Sequence, residues 1–332
     1  MEFIEFLYRL KNDNNSNLIE AIGLGYDAVF ESKVDIDKFS LANKKFDELV
    51  DRIWRFYWFY FQPEDGKLFS NENASYETSI EFDLGHLTAY SDKTTLITFT
   101  TRFQTPSFSN KVKHAAYYDR VNKDIVINLH PKIIDLYVRF KADYIAKANE
   151  FLPKLTGTWL TYSYFDDHDI FDLEKSFPDA GIGELYHKLV KEYREETIRL
   201  VNKEVRNAAV HEIVHAIDAQ MHPKIWEQKE QKRYREEARK IRLKKELKPW
   251  DNSGDSHLRT RYYNLPVEIN AYIIGLASTL SDEDIDKSFN EIINTSYLKE
   301  FLSKLHPNNK KRALKRIYSI VSDKLDTKSS AA

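Results

Sequence analysis

Val210-His211-Glu212-Ile213-Val214-His215-Ala216-Ile217-Asp218 is the stretch on which the reading of this 332-residue chain turns. On an α-helix, residues four apart stand one turn from each other on the same face, so the imidazoles of His211 and His215 can reach one ion. Glu212 projects about 100° further round the helix, beside such an ion and not onto it. There it is placed to take a proton from a water and pass it to a leaving group. Val210, Ile213, Val214 and Ile217 give the same segment the apolar residues of a buried helix.

The surrounding chain fixes what kind of site this can be. There are no cysteines, so a thiolate cluster and a disulfide scaffold are excluded, and a transition-metal site must be built from His and carboxylate. Fifty Lys and Arg stand against 52 Asp and Glu, a near balance that creates no overall field toward nucleic acid or anionic membrane. The most apolar run, Ile53 to Phe61, contains Arg55 and is far shorter than the ~20 residues of a membrane span. The amino terminus, Met1-Glu2-Phe3-Ile4-Glu5-Phe6, lacks the basic-then-apolar order of a signal peptide. The expectation is a cytoplasmic or virion-associated protein, with no membrane partner and nucleic acid an improbable one.

Periodicity divides the chain into an amino-terminal helical extension (1–75), a central domain carrying the histidines (76–285) and carboxy-terminal helices (286–332). Ser40 is suited to cap a helix running through Phe46, Leu49, Val50, Ile53, Trp54 and Tyr57, while 12–17 reads as a polar linker. From about Tyr76 to Leu129 the pattern becomes that of strands. Residues 94–100 are rich in β-branched side chains, Tyr117 to Lys123 reads as a strand and hairpin turn, and Asp124 to Leu129 as a short apolar strand. Helices are expected over 133–152, over 184–221 with one break near Asn202 or Asn207, and over 227–248, 266–280, 282–305 and 308–325. Residues 249–264 read as a loop. The order predicts an α+β fold, with a mixed or antiparallel sheet packed by the helix that carries the histidines.

A catalytic zinc takes three protein ligands and keeps one position open. His222 does not supply the third, because the spacing of a three-histidine site requires a histidine at the position of Met221 and a glycine at that of Asp218. Glu268 fits better. It lies in the first turn of the helix that begins Leu265-Pro266-Val267-Glu268, and Ala271 one turn on leaves room for a neighbouring helix.

His211-Glu212-Ile213-Val214-His215 followed by Glu268-Ile269-Asn270-Ala271 resembles the gluzincin arrangement, His-Glu-x-x-His and then a Glu on a second helix. Within that group it is similar to small zincin-like peptidases of bacteriophage and mobile-element genomes, whose second motif follows an aromatic and a proline as in Tyr263-Asn264-Leu265-Pro266-Val267-Glu268. It departs from the thermolysin-type Asn-Glu-x-x-x-Asp motif at Val267 and Tyr272. The resemblance implies a zincin-like fold, a Zn²⁺ ion held by His211, His215 and Glu268, and hydrolysis of peptide bonds by a zinc-dependent endopeptidase. It also implies that the strand before the active-site helices, here 124–129, receives a protein or peptide substrate in extended form by strand addition. A non-catalytic structural or virion-associated module that keeps the scaffold and its metal is the alternative.

Three further features complete the expectation. Tyr262 and Tyr263 are candidates to donate a hydrogen bond to a developing oxyanion, with Tyr263 preferred, against a plain packing role. Asp218 either orients a metal-bound imidazole or is an ordinary helix-end acid. Asp166-Asp167-His168-Asp169 reads as a solvated turn, and the ten Lys or Arg and five Glu of 227–248 as a solvated, salt-bridged helix.

Overall fold

In a computed structural model of the chain, residues 27–60, 81–90, 96–104, 116–128, 131–150, 181–224, 229–247, 255–281 and 286–331 are described, with residues 154, 175 and 284. The linker expected at 12–17 and the acidic cluster at 166–169 lie outside these residues. The elements are α1 (Asp27–Tyr60), β1 (Glu81–Tyr90), β2 (Leu96–Gln104), β3 (Ala116–Asp119), β4 (Asp124–Asn128), α2 (Pro131–Ala148), α3 (Ile182–Glu204), α4 (Arg206–Met221), α5 (Lys229–Leu247), α6 (Asp255–Tyr263), α7 (Pro266–Ser278), α8 (Phe289–Ile293), α9 (Ser296–Ser303) and α10 (Pro307–Ala331). The fold is α+β, mostly helical, with one small mixed sheet. None of the described helices is long and apolar enough to cross a membrane.

The described residues fall into two compact units. One comprises those within Met1–Lys44, Ala89–Ile97 and Val210–Ala332, the other those within Lys45–Thr88 and Thr98–Ala209. This grouping differs from the three consecutive parts expected from composition. Residues 286–332 belong to the same unit as the histidine helix.

The sheet, most of whose residues belong to the second unit, has the order β1-β2-β4-β3. β4 runs parallel to β2, with Thr100 opposite Asp124, and antiparallel to β3, with Tyr118 opposite Ile125. The β3–β4 turn is set by Asp119, whose Oδ1 accepts from the backbone N–H groups of Val121 (2.8 Å) and Asn122 (3.3 Å). Lys123 then takes a positive φ of 53°. Those backbone donors hold the Asp119 carboxyl below the usual aspartate range. Asp124, Ile125, Val126 and Ile127 are all buried, the continuous pattern of a strand covered on both faces. Over Asp124–Ile127 β4 therefore has hydrogen-bonded neighbours along both edges, and the substrate strand expected at 124–129 has no free edge to join there. That expectation is corrected: the apolar run marked an interior strand.

Helices α2 and α3 in this unit pack through Phe140, Tyr144 and Ala148 against Ile182 and Leu189, with Tyr193 edge-on to Phe140 at 5.4 Å. The Tyr193 hydroxyl donates to Asp143 (2.5 Å). Burial and that carboxylate push its pKa up to about 12. The break expected near Asn202 or Asn207 falls at Val205, which caps α3 with φ −116°.

In the first unit, α4 buries Val210, Ile213, Val214, Ala216 and Ile217. The expected cap at Ser40 is not a helix start, since α1 begins at Asp27 and Ser40 is an exposed residue inside it. The segment read as a loop at 249–264 contains the helix α6, and the single helix expected over 282–305 is two. α8 opens with a capping box in which Ser288 and Glu291 satisfy each other's backbone N–H, and α9 follows from Ser296. α7 starts with Pro266 after an extended Leu265 and is buried along almost its whole length, and it packs against α10.

Candidate metal centre

Helix α4 presents His211 and His215 one turn apart, with ring centroids 4.5 Å from each other and nearly perpendicular planes. Glu268, in the first turn of α7, meets both. Its Oε2 lies 3.2 Å from His211 Nε2 and 3.3 Å from His215 Nε2. All three side chains are buried, with 6–7% of each exposed. The ligand atoms of the three residues lie within 4.8 Å of one another, a group that can hold a metal ion.

The distances carry chemical information. A charge-assisted N–H···O⁻ pair closes to about 2.7–2.9 Å, shorter than either contact here. Donors bound to one tetrahedral ion at about 2.0–2.1 Å stand about 3.3 Å apart, which matches the two separations between Glu268 Oε2 and the imidazole nitrogens. Among the described residues, Glu268 Oε2 is buried and takes no hydrogen bond of normal geometry. A buried carboxylate oxygen without a donor is costly unless a cation completes it. Burial raises the Glu268 pKa, but the imidazoles of His215 and His211 more than offset this and hold the carboxyl below its ordinary range.

Glu212 stands beside the group and outside it. Its Oε1 is 4.0 Å from His211 Nε2, and its side chain is more exposed than the three donors, at 14%. This is the placement that the helical phase of His-Glu-x-x-His requires.

The structure separates the two tyrosines at the end of α6. Tyr262, not Tyr263, reaches the carboxylates. Its hydroxyl hydrogen-bonds to Glu268, and burial together with the nearby charges of Glu268 and Glu212 pushes its pKa far up. The Tyr263 hydroxyl pairs with Tyr272, and its ring lies under Lys304 Nζ at 4.6 Å. Of the two candidates, the preferred Tyr263 meets the group through Tyr272, while Tyr262 is the one beside Glu268. Adjacent residues on a helix diverge by 100°, so only one of the pair can face the metal group.

Tyr272, one turn after Glu268, packs edge-on to His211 at 4.5 Å and stacks on Phe301 at 5.4 Å. This aromatic support was not read from the sequence, although Glu268 and Tyr272 have the four-residue spacing of helix neighbours. Asp218 is fully buried, and its Oδ1 accepts from the ammonium of Lys38, itself buried on α1. Neither reading made for Asp218 anticipated this cation.

Comparison of the chain with protein-family models, curated proteins and solved structures finds no match.

Proposed function

We propose that the chain is a zinc-dependent endopeptidase with the zincin-like arrangement that its sequence resembles. The observation that supports this most is the convergence of two imidazole nitrogens on one carboxylate oxygen at 3.2 and 3.3 Å, with the Glu212 carboxylate 4.0 Å from His211 Nε2. A structural zinc site is closed by four protein ligands, whereas a catalytic one has three and an open position. Among the described residues the group has three donors, and Glu212 stands next to it without joining it. That count favours catalysis over the non-catalytic alternative.

His211, His215 and Glu268 would hold the ion. Zinc bound there supplies Lewis acidity and brings the pKa of a water toward about 7. Glu212 accepts the proton of the attacking water at its carboxylate and delivers it to the departing amine nitrogen. Tyr262 lies beside Glu268 and is placed to steady its carboxylate. The apolar residues of α4 and α7 exclude bulk solvent from beneath the donors.

Glu212→Gln tests the reading. The variant is expected to bind zinc as the parent does and to lose hydrolysis of an unstructured protein substrate by at least about a hundredfold. Undiminished hydrolysis in that variant would defeat the assignment.

A further inference from the structure

The carboxy-terminal helices looked like an appendage in the sequence, yet they converge on the segment that carries Glu268. Asn264 occupies the corner between α6 and α7, two residues after Tyr262 and four before Glu268. Its Nδ2 donates to the carbonyls of Thr260 (2.8 Å) and Lys304 (3.0 Å). Its Oδ1 accepts from the backbone N–H of His306 (2.8 Å) and from Asn309 Nδ2 (3.0 Å), and Asn309 Nδ2 also reaches the Asn264 carbonyl (3.3 Å). One side chain thus uses both donors and both lone pairs to join the α6–α7 corner to the α9–α10 corner. Two further contacts act in parallel. Phe301 of α9 backs Tyr272, which backs His211, and Arg316 Nη1 of α10 donates to Asn270 Oδ1 (2.9 Å) two residues beyond Glu268.

A side-chain amide saturated in this way fixes a corner to within hydrogen-bond tolerance, and metal affinity is sensitive to that degree of misplacement. We infer that the α9–α10 segment is an outer support of the metal group, and that Asn264 is the positioning residue that transmits it to Glu268. The inference rests on the metal reading above.

The test is zinc affinity of the full-length chain, measured by competition with a chromogenic chelator, with thermal unfolding followed in parallel. Asn264→Ala is expected to weaken zinc binding by about tenfold or more. Asn309→Ala, which removes the donor to Asn264 Oδ1 from the other side, is expected to weaken it in the same direction and less. A folded Asn264→Ala protein with lowered thermal stability but zinc affinity within twofold of the parent would overturn the inference, because a purely structural latch behaves so. If Asn264→Ala does not fold, Asn309→Ala decides: weaker zinc binding supports the inference and unchanged binding overturns it. A parent chain that binds no zinc would remove the metal reading itself, a failure visible before any Asn variant is made.

Discussion

Lys38→Met isolates the buried ion pair that joins α1 to Asp218 of the histidine helix. Asp218 has no exposure and Lys38 only 7%, so the pair sits where water does not screen it. Asp218 Oδ2 already has no hydrogen-bond partner among the described residues, which leaves the Lys38 ammonium as the compensating group for that carboxylate. Removing one partner of a buried pair typically costs about 3–5 kcal/mol, whereas a solvent-exposed pair is worth about 0–1 kcal/mol. Against a typical total stability of about 5–15 kcal/mol, the first figure is a large fraction. Replacing both partners by apolar residues removes the uncompensated charge, so Lys38→Met combined with Asp218→Leu should recover most of the loss. The assay is urea unfolding in the presence of chelator, which keeps metal binding out of the measured free energy. Lys38→Met costing under about 1 kcal/mol, or a double variant no better than the single one, would show that the pair is not the buried unit described here.

Other outcomes follow from the same geometry. Tyr262→Phe should weaken zinc binding several-fold through the lost hydrogen bond to Glu268, while Tyr263→Phe should leave it unchanged; chelator competition on both variants distinguishes the two residues. Zinc at about a thousand times its dissociation constant should stabilise the folded chain by about 4 kcal/mol, and a melting curve recorded with and without chelator reads this directly. Tyr193 has a folded-state pKa raised to about 12 from an ordinary 10. The unfolded chain therefore releases that proton first, so the Tyr193 contribution is present below about pH 10 and is lost as pH rises toward 12. Tyr193→Phe should lose less stability across that window than the parent does in paired urea titrations.

How much of this was open to inspection in the sequence depends on whether the information was local. His211, Glu212 and His215 were legible because one helical turn sets their relation and no distant partner is needed. Glu268 was legible because Pro266 marks a helix start two residues before it. The choice between Tyr262 and Tyr263 was not, since α6 lacks apolar periodicity and read as a loop, so there was no helical phase to separate neighbours. The interior position of β4 was equally hidden, because a run of buried residues says that both faces are covered and says nothing of which edges are paired. Lys38 and Asp218 stand 180 residues apart, and nothing in either neighbourhood announces the other. The division of 282–305 did have a local sign: Ser288 and Glu291 have the spacing of a capping box, and the hydrophobic pattern running past them masked it.

Two imidazoles on α4 and a carboxylate on α7 are proposed to share one cation. A crystal of the full-length chain grown with zinc, with diffraction recorded on both sides of the zinc absorption edge, tests it most directly. One anomalous peak is expected about 2.0–2.2 Å from His211 Nε2, His215 Nε2 and a Glu268 oxygen, with Glu212 uncoordinated beside it. No peak among those three side chains, or a peak with Glu268 turned away from it, would rule out the shared site.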